Sequence, residues 1–156
     1  MKDLKKILRE ELENSNFINS IRFITKKEDE DRIKISAIYE NEKIGYVVLE
    51  LNQNAYWYFE DDFSEDDYYK MFPNDEFIKI EHIEIDDYYK RSGVAKKLMS
   101  LAIKKSKQLG YEQIYLNASP MGFSGLKLND LVEFYKKFGF KEILNQGNNV
   151  QMLLNI

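Results

Sequence analysis

The sequence predicts an α/β protein built on a mixed, mostly antiparallel central sheet with flanking helices. Three observations carry this. Residues 80–109 read as a strand, a tight glycine loop and an amphipathic helix. Residues 32–51 and 140–156 each read as two strands around a polar turn. The chain has 156 residues, 44% of them hydrophobic, which suits one domain (1–156) with one core.

Taken in order, residues 3–13 predict an amphipathic helix, because Leu4, Ile7, Leu8 and Leu12 fall on one face at spacings of three and four. Asn14, Ser15 and Asn16 end it, and residues 17–25 are a strand candidate. Residues 26–31 are charged throughout and read as a turn. Ile33, Ile35, Ala37 and Tyr39 then alternate with Lys34, Ser36 and Ile38, the period of a strand with one buried face. Residues 40–43 turn the chain into a second strand over 43–51. Residues 54–76 form an aromatic and acidic insertion in which Ser64, three residues before Asp67, caps a short helix running to Met71, and Pro73 stops it. Beyond the glycine loop, Val94, Leu98, Leu101, Ala102 and Leu109 give a buried helical stripe that ends at Gly110. A strand over 111–117, a loop over 118–127, a helix over 129–138 and a closing hairpin around 145–149 complete the chain.

Composition narrows the function. The absence of cysteine rules out disulfides, a thiol nucleophile and a Cys-type zinc site, and it fits a reducing compartment. A single His and scattered carboxylates give no metal-ligand pattern. Residues 1–6 lack a long apolar segment, and no run approaches the ~20 apolar residues of a membrane span, so the expected location is cytoplasmic. A net charge of −4 argues against a nucleic-acid partner.

The stretch Ile80-Glu81-His82-Ile83-Glu84-Ile85-Asp86-Asp87-Tyr88-Tyr89-Lys90-Arg91-Ser92-Gly93-Val94-Ala95 organises the rest. A strand, a glycine loop and a helix N-terminus present backbone N–H groups and a positive dipole end, which together suit a phosphate or pyrophosphate. Lys90-Arg91-Ser92-Gly93-Val94-Ala95 resembles the acyl-CoA loop of the GNAT N-acetyltransferases, patterned Gln/Arg-x-x-Gly-x-Gly/Ala, with Ile85 eight positions before the loop glycine. Downstream, Phe134-Tyr135-Lys136-Lys137-Phe138-Gly139-Phe140 resembles that family's Phe-Tyr-x-x-x-Gly-Phe signature. Lys90 departs from the pattern by standing where Gln or Arg is usual, and it meets a phosphate as a point charge without the bidentate fork.

The resemblance implies a GNAT-like fold, often dimeric, that uses acetyl-CoA as co-substrate and transfers its acetyl group to an amine. It implies that backbone amides of Arg91, Ser92, Gly93, Val94 and Ala95 hold the pyrophosphate, with Lys90 beside them. The backbones of Ile83 and Ile85 pair with the pantetheine arm like an added strand; Asn117, at the end of the fifth strand, is a candidate contact to that arm or to a water, with a cap or turn role as the plain alternative. Asn129 lies one position out of register for the family's cofactor-contacting Asn, so no role is carried to it. Tyr135 becomes the general acid that protonates the departing thiolate, as a phenol can. Against this, Phe134, Tyr135 and Phe138 also make an ordinary helical core stripe. Glu81, twelve residues before Gly93, becomes the general base, with His82 and Glu84 as competitors and three solvated charges as the plain alternative. Strand alternation puts Glu81 and His82 on opposite faces, so only one of them is expected to reach the cleft.

The six carboxylates between Glu60 and Asp67, with Trp57 and the nearby tyrosines, would attract a cationic acceptor such as a polyamine, an aminoglycoside or a lysine side chain, unless they are simply a solvated loop. Residues 119–125 are a second candidate wall for the acceptor. Two other readings remain open at this level. One is a non-catalytic module on the same fold that binds CoA or a partner. The other is an acetyltransferase acting on RNA through the basic residues between Lys90 and Lys107.

Overall fold

The computed structural model describes residue 4, residues 16–120 and residues 126–156. The loop residues 121–125 and all of the expected N-terminal helix except Leu4 lie outside them. Leu4 is helical and exposed. The elements are β1 (Arg22–Asp29), β2 (Arg32–Tyr39), β3 (Glu42–Asn54), α1 (Ala55–Phe59), α2 (Glu65–Met71), β4 (Glu76–Ile85), a 3₁₀ turn (Asp87–Tyr89), α3 (Val94–Gln108), β5 (Gln113–Ala118), α4 (Leu128–Lys136), β6 (Lys141–Asn145) and β7 (Val150–Asn155). The seven strands form one sheet in the order β1-β2-β3-β4-β5-β7-β6. Every neighbouring pair is antiparallel except β4–β5. The mixed, mostly antiparallel α/β class is as the sequence predicts.

The β2 and β3 hairpin follows its sequence pattern. Ile33, Ile35 and Ala37 are buried, and Glu40 and Asn41 both take positive φ, the geometry of a tight two-residue hairpin turn. Lys43 therefore belongs to a strand rather than to the turn. The entry to the sheet departs further from expectation. Residues 16–19 are helical, closed by Ser20, whose N–H donates to the Asn16 carbonyl at 3.1 Å and whose Oγ donates to the Phe17 carbonyl at 2.6 Å. The strand starts only at Arg22 and continues through Lys26, Lys27, Glu28 and Asp29, which the sequence reads as a turn. β1 is an edge strand with little to bury, so charge does not stop it, and lysines on an open edge discourage pairing with another chain.

Each face of the sheet carries its own core. On one face Ile33, Ile35, Val47, Leu49, Ile78, Ile80, Ile83, Ile85, Ile114, Leu116 and Met152 pack with Val94, Leu98, Met99 and Ala102 of α3 and with Leu131, Val132 and Tyr135 of α4. On the other face the insertion is anchored. Ala55, Phe59, Tyr68 and Phe72 pack on Phe77, Tyr115 and Leu153, with Phe59 stacked on Phe72 at 5.1 Å and edge-on to Tyr115 at 5.3 Å. The predicted cap of α2 is present: Ser64 Oγ accepts from the Asp67 N–H at 3.2 Å. Glu65, Asp66 and Asp67 lie in the first turn of α2, where the helix dipole favours them.

One close approach depends on glycine. A Cβ on Gly45 would stand 2.7 Å from Ile85 Cδ1 and 2.9 Å from the Glu84 carbonyl oxygen. The backbone of β4 cannot yield cheaply there. Gly45→Ala is expected to destabilise the fold by about 1–3 kcal/mol, as overpacking does, and thermal unfolding checks this.

Candidate active site: a parted sheet above a glycine loop

β4 and β5 pair only over Ile78–Ile80, opposite Ile114–Leu116. Past that point β4 stays with β3, through Ile83↔Val47 and Ile85↔Gly45, while β5 stays with β7, through Asn117↔Gln151 and Ala118↔Val150. The two parallel strands therefore part, and the facing edges of residues 81–85 and 117–118 carry no ladder. Ile83, Ile85 and Asn117, nominated from sequence, all lie along this gap.

The loop below the gap is built by backbone conformation. Arg91 takes φ 62° and Gly93 takes φ 90°. Gly93 is the N-cap of α3, with no side-chain cap and no acidic residue in the first turn, so the first N–H groups of the helix are left for an anion. A Cβ at Gly93 would meet Ile18 Cδ1 at 3.5 Å, an ordinary contact, so the positive φ is what requires glycine. Ser92 Oγ donates to the Tyr89 carbonyl, and Lys90 is ion-paired with Asp87. Tyr89 is wedged against Phe17, stacked at 5.7 Å, and Tyr39, edge-on at 5.9 Å. This three-ring prop beneath the loop has no sequence signal, because Phe17 and Tyr39 lie far from the glycine motif.

Tyr135 is buried in α4 against Phe134 and Phe140. Its burial pushes the phenol well above its usual range, so it remains protonated. It belongs to the same packed cluster as Ile83, Ile85, Val94 and Ala118, the residues around the gap.

The expectation that Glu81 and His82 face opposite ways is overturned. Val48 pairs with His82 and Leu49 with Ile80, so Glu81 is an extra residue, a β-bulge. The bulge turns both side chains to the polar face. Glu81 Oε2 meets Arg32 Nη2 at 3.0 Å, and the same guanidinium holds Glu28 through Nε at 3.4 Å. His82 Nε2 lies 3.4 Å from Glu84 Oε2, which also accepts from the Tyr46 hydroxyl at 2.7 Å. Burial first, then the neighbouring Glu81 carboxylate, raises the Glu50 carboxyl. Tyr58 of α1 stands near this group, with its hydroxyl donating to Gln53 Oε1 at 2.7 Å and its ring 5.3 Å from Lys79 Nζ. Trp57, by contrast, is 80% exposed. The insertion thus borders the polar face through Tyr58, while Phe59, Tyr68 and Phe72 fill a core.

The acetyltransferase (GNAT) family model matches residues 1–140. The chain belongs to the GNAT acetyltransferase family. Solved structures agree on the fold. The PaiA N-acetyltransferase of Thermoplasma acidophilum, in complex with coenzyme A, is 18% identical with a TM-score of 0.57, over 97% of this chain and 70% of that one. A GNAT family acetyltransferase from Elizabethkingia anophelis with acetyl-CoA bound is 15% identical with a TM-score of 0.59, over 88% of this chain and 99% of that one. No curated protein sequence matches. In this GNAT protein the parted β4–β5 pair lies in the segment that runs on into the glycine loop. Among the described residues no group of side chains could hold a metal, and no helix is long and apolar enough to cross a membrane.

Proposed function

We propose that this single-domain chain transfers an acetyl group from acetyl-CoA to a primary amine by direct attack, with donor and acceptor bound together. The observation that supports it most is the gap between β4 and β5 ending on the uncapped, left-handed Gly93 turn. An extended thioester arm fits the gap, with the backbones of Ile83 and Ile85 on one side and Asn117 on the other. Its pyrophosphate then lies over the amides of Arg91, Ser92, Gly93, Val94 and Ala95. Lys90 offers a positive charge at the loop's edge, shared with Asp87.

The absence of cysteine supports direct transfer by arguing against a thioester relay. Tyr135, held protonated by burial, gives its proton to the departing sulfur. The base comes from the bulge, where Glu81 and His82 share a face. A cationic acceptor suits the acidic insertion that borders that face at Tyr58.

Calorimetric titration with acetyl-CoA, CoA and ATP, followed by a panel of polyamines, aminoglycosides and lysine peptides, tests this. Micromolar acetyl-CoA affinity without comparable ATP affinity, and acetylation of an amine in the panel, is the expected result. Acetyl-CoA that fails to bind the folded chain overturns the proposal. Tight binding with no amine acetylated leaves a binding module instead.

A further inference from the structure

We infer that His82, oriented by a Tyr46–Glu84 pair, is the catalytic base, and that Glu81 is an anchor for the bulge. This rests on the transferase reading above. The bulge brings two candidate bases to one face, and their surroundings separate them. Glu81 reaches back across β3 to Arg32 on β2, away from β5 and the gap. Taking a proton there would cost the ion pair that the guanidinium makes with the carboxylate at 3.0 Å. Glu81 also has Glu50 beside it and Glu28 on the same arginine. It is bound into a network that spans four strands.

His82 sits two residues past the last β4–β5 pair, beside the opening. It is partly exposed, with 41% of its side chain accessible. Two contacts fix its tautomer. The Tyr46 hydroxyl donates to Glu84 Oε2, which leaves that carboxylate purely an acceptor. The imidazole nitrogen facing Glu84 is Nε2, so Nε2 carries the hydrogen and Nδ1 keeps the lone pair. The 3.4 Å separation is long, as such bonds often are before substrate binds. Tyr46 is itself held in place. Its ring is 5.7 Å from the imidazole, and the ammonium groups of Lys34 and Lys43 lie 4.2 Å and 5.8 Å from its centre. The hydrogen bond to Glu84, followed by burial, pushes the Tyr46 phenol up to about 12, which keeps it a donor.

The proton inventory closes. His82 Nδ1 accepts the proton released by the attacking nitrogen as the new C–N bond forms. The C–S bond breaks, and the sulfur takes its proton from Tyr135. The imidazolium then loses its proton to water, and the Tyr135 phenolate regains one. The net change is amine plus thioester to amide plus thiol. Tyr46 and Glu84 are positioning residues that act through the imidazole.

The lone histidine makes the test direct. In the chain labelled with ¹⁵N-histidine, long-range ¹H–¹⁵N spectra above pH 8 are expected to show the Nε2–H tautomer in the wild type. Glu84→Gln and Tyr46→Phe should shift it toward a mixture. With acetyl-CoA and the best amine of the panel, His82→Gln should lower kcat about 100-fold or more, the scale of a lost base, and Glu84→Gln and Tyr46→Phe about 10-fold with KM unchanged. Glu81→Gln should keep kcat within about 3-fold, since on this inference the carboxylate it removes takes no proton in the reaction. An Nδ1–H tautomer in the wild type overturns the inference whatever the kinetics. So does the reverse ranking, with Glu81→Gln crippled and His82→Gln active. Failure of the transferase reading shows separately, as absent acetyl-CoA binding in calorimetry.

Discussion

Tyr135→Phe is expected to lower kcat by about 10²–10⁴-fold, the range that a positioned acid contributes, while acetyl-CoA affinity stays within about 2-fold. The substitution removes one oxygen from a side chain whose ring is packed against Phe134 and Phe140, so the packing survives. What is lost is the only proton in that aromatic group. The phenol is held above its usual range by burial alone, so it does not ionise at working pH and its proton is available to a departing thiolate. Single-turnover kinetics beside a binding titration separate the two quantities. An unchanged kcat would remove Tyr135 from the chemistry and return it to the core stripe.

Gly93→Glu is expected to weaken acetyl-CoA binding by about 100-fold or more, through two independent effects each costing about 1–3 kcal/mol. The first is conformational. Gly93 sits at φ 90°, where a side chain is strained although Ile18 leaves room for a Cβ. The second is electrostatic. A carboxylate at the N-cap takes the helix amides and the dipole end that the pyrophosphate would otherwise use. Gly93→Ala carries the first effect without the second, so the difference between the two variants measures the electrostatic part. Titration calorimetry gives both, and circular dichroism confirms that α3 still forms. Normal affinity in Gly93→Glu would disprove the loop assignment.

Much of the fold is legible in the sequence because its determinants are local. The alternation of β2, the Ser64 cap and the helix start at the glycine loop are each set within a few residues and form where expected, while the stripe of α3 forms at Val94, Leu98 and Ala102 but leaves Leu109, expected within it, 41% exposed past the helix end. The site is less legible where it depends on register. The bulge at Glu81 comes from how β4 pairs with β3, and its only trace in the sequence is the polar pair Glu81-His82 between Ile80 and Ile83, which breaks the alternation of the strand. One extra residue reverses the conclusion about which side chains share a face. The charge run in β1 misleads for a different reason. An edge strand with no face to bury shows no apolar period. The carboxylates from Glu60 to Asp67 are exposed, as a solvated charge run would be, but the sequence gives no sign that Phe59 and Phe72 are 2% and 0% exposed, because part of the apolar surface they cover comes from Tyr115 and Leu153, distant in sequence.

The short seam between β4 and β5 links occupancy to folding. The sheet is two leaves, β1–β4 and β5–β7, stitched directly only at Ile78–Ile80. On the proposed reading, a donor lying in the gap would supply the strand that the leaves lack, and its binding energy would add cohesion between them. At a hundred times its dissociation constant such a ligand adds about 2.7 kcal/mol of stability. On that reading the co-substrate serves as a structural member as well as a reagent.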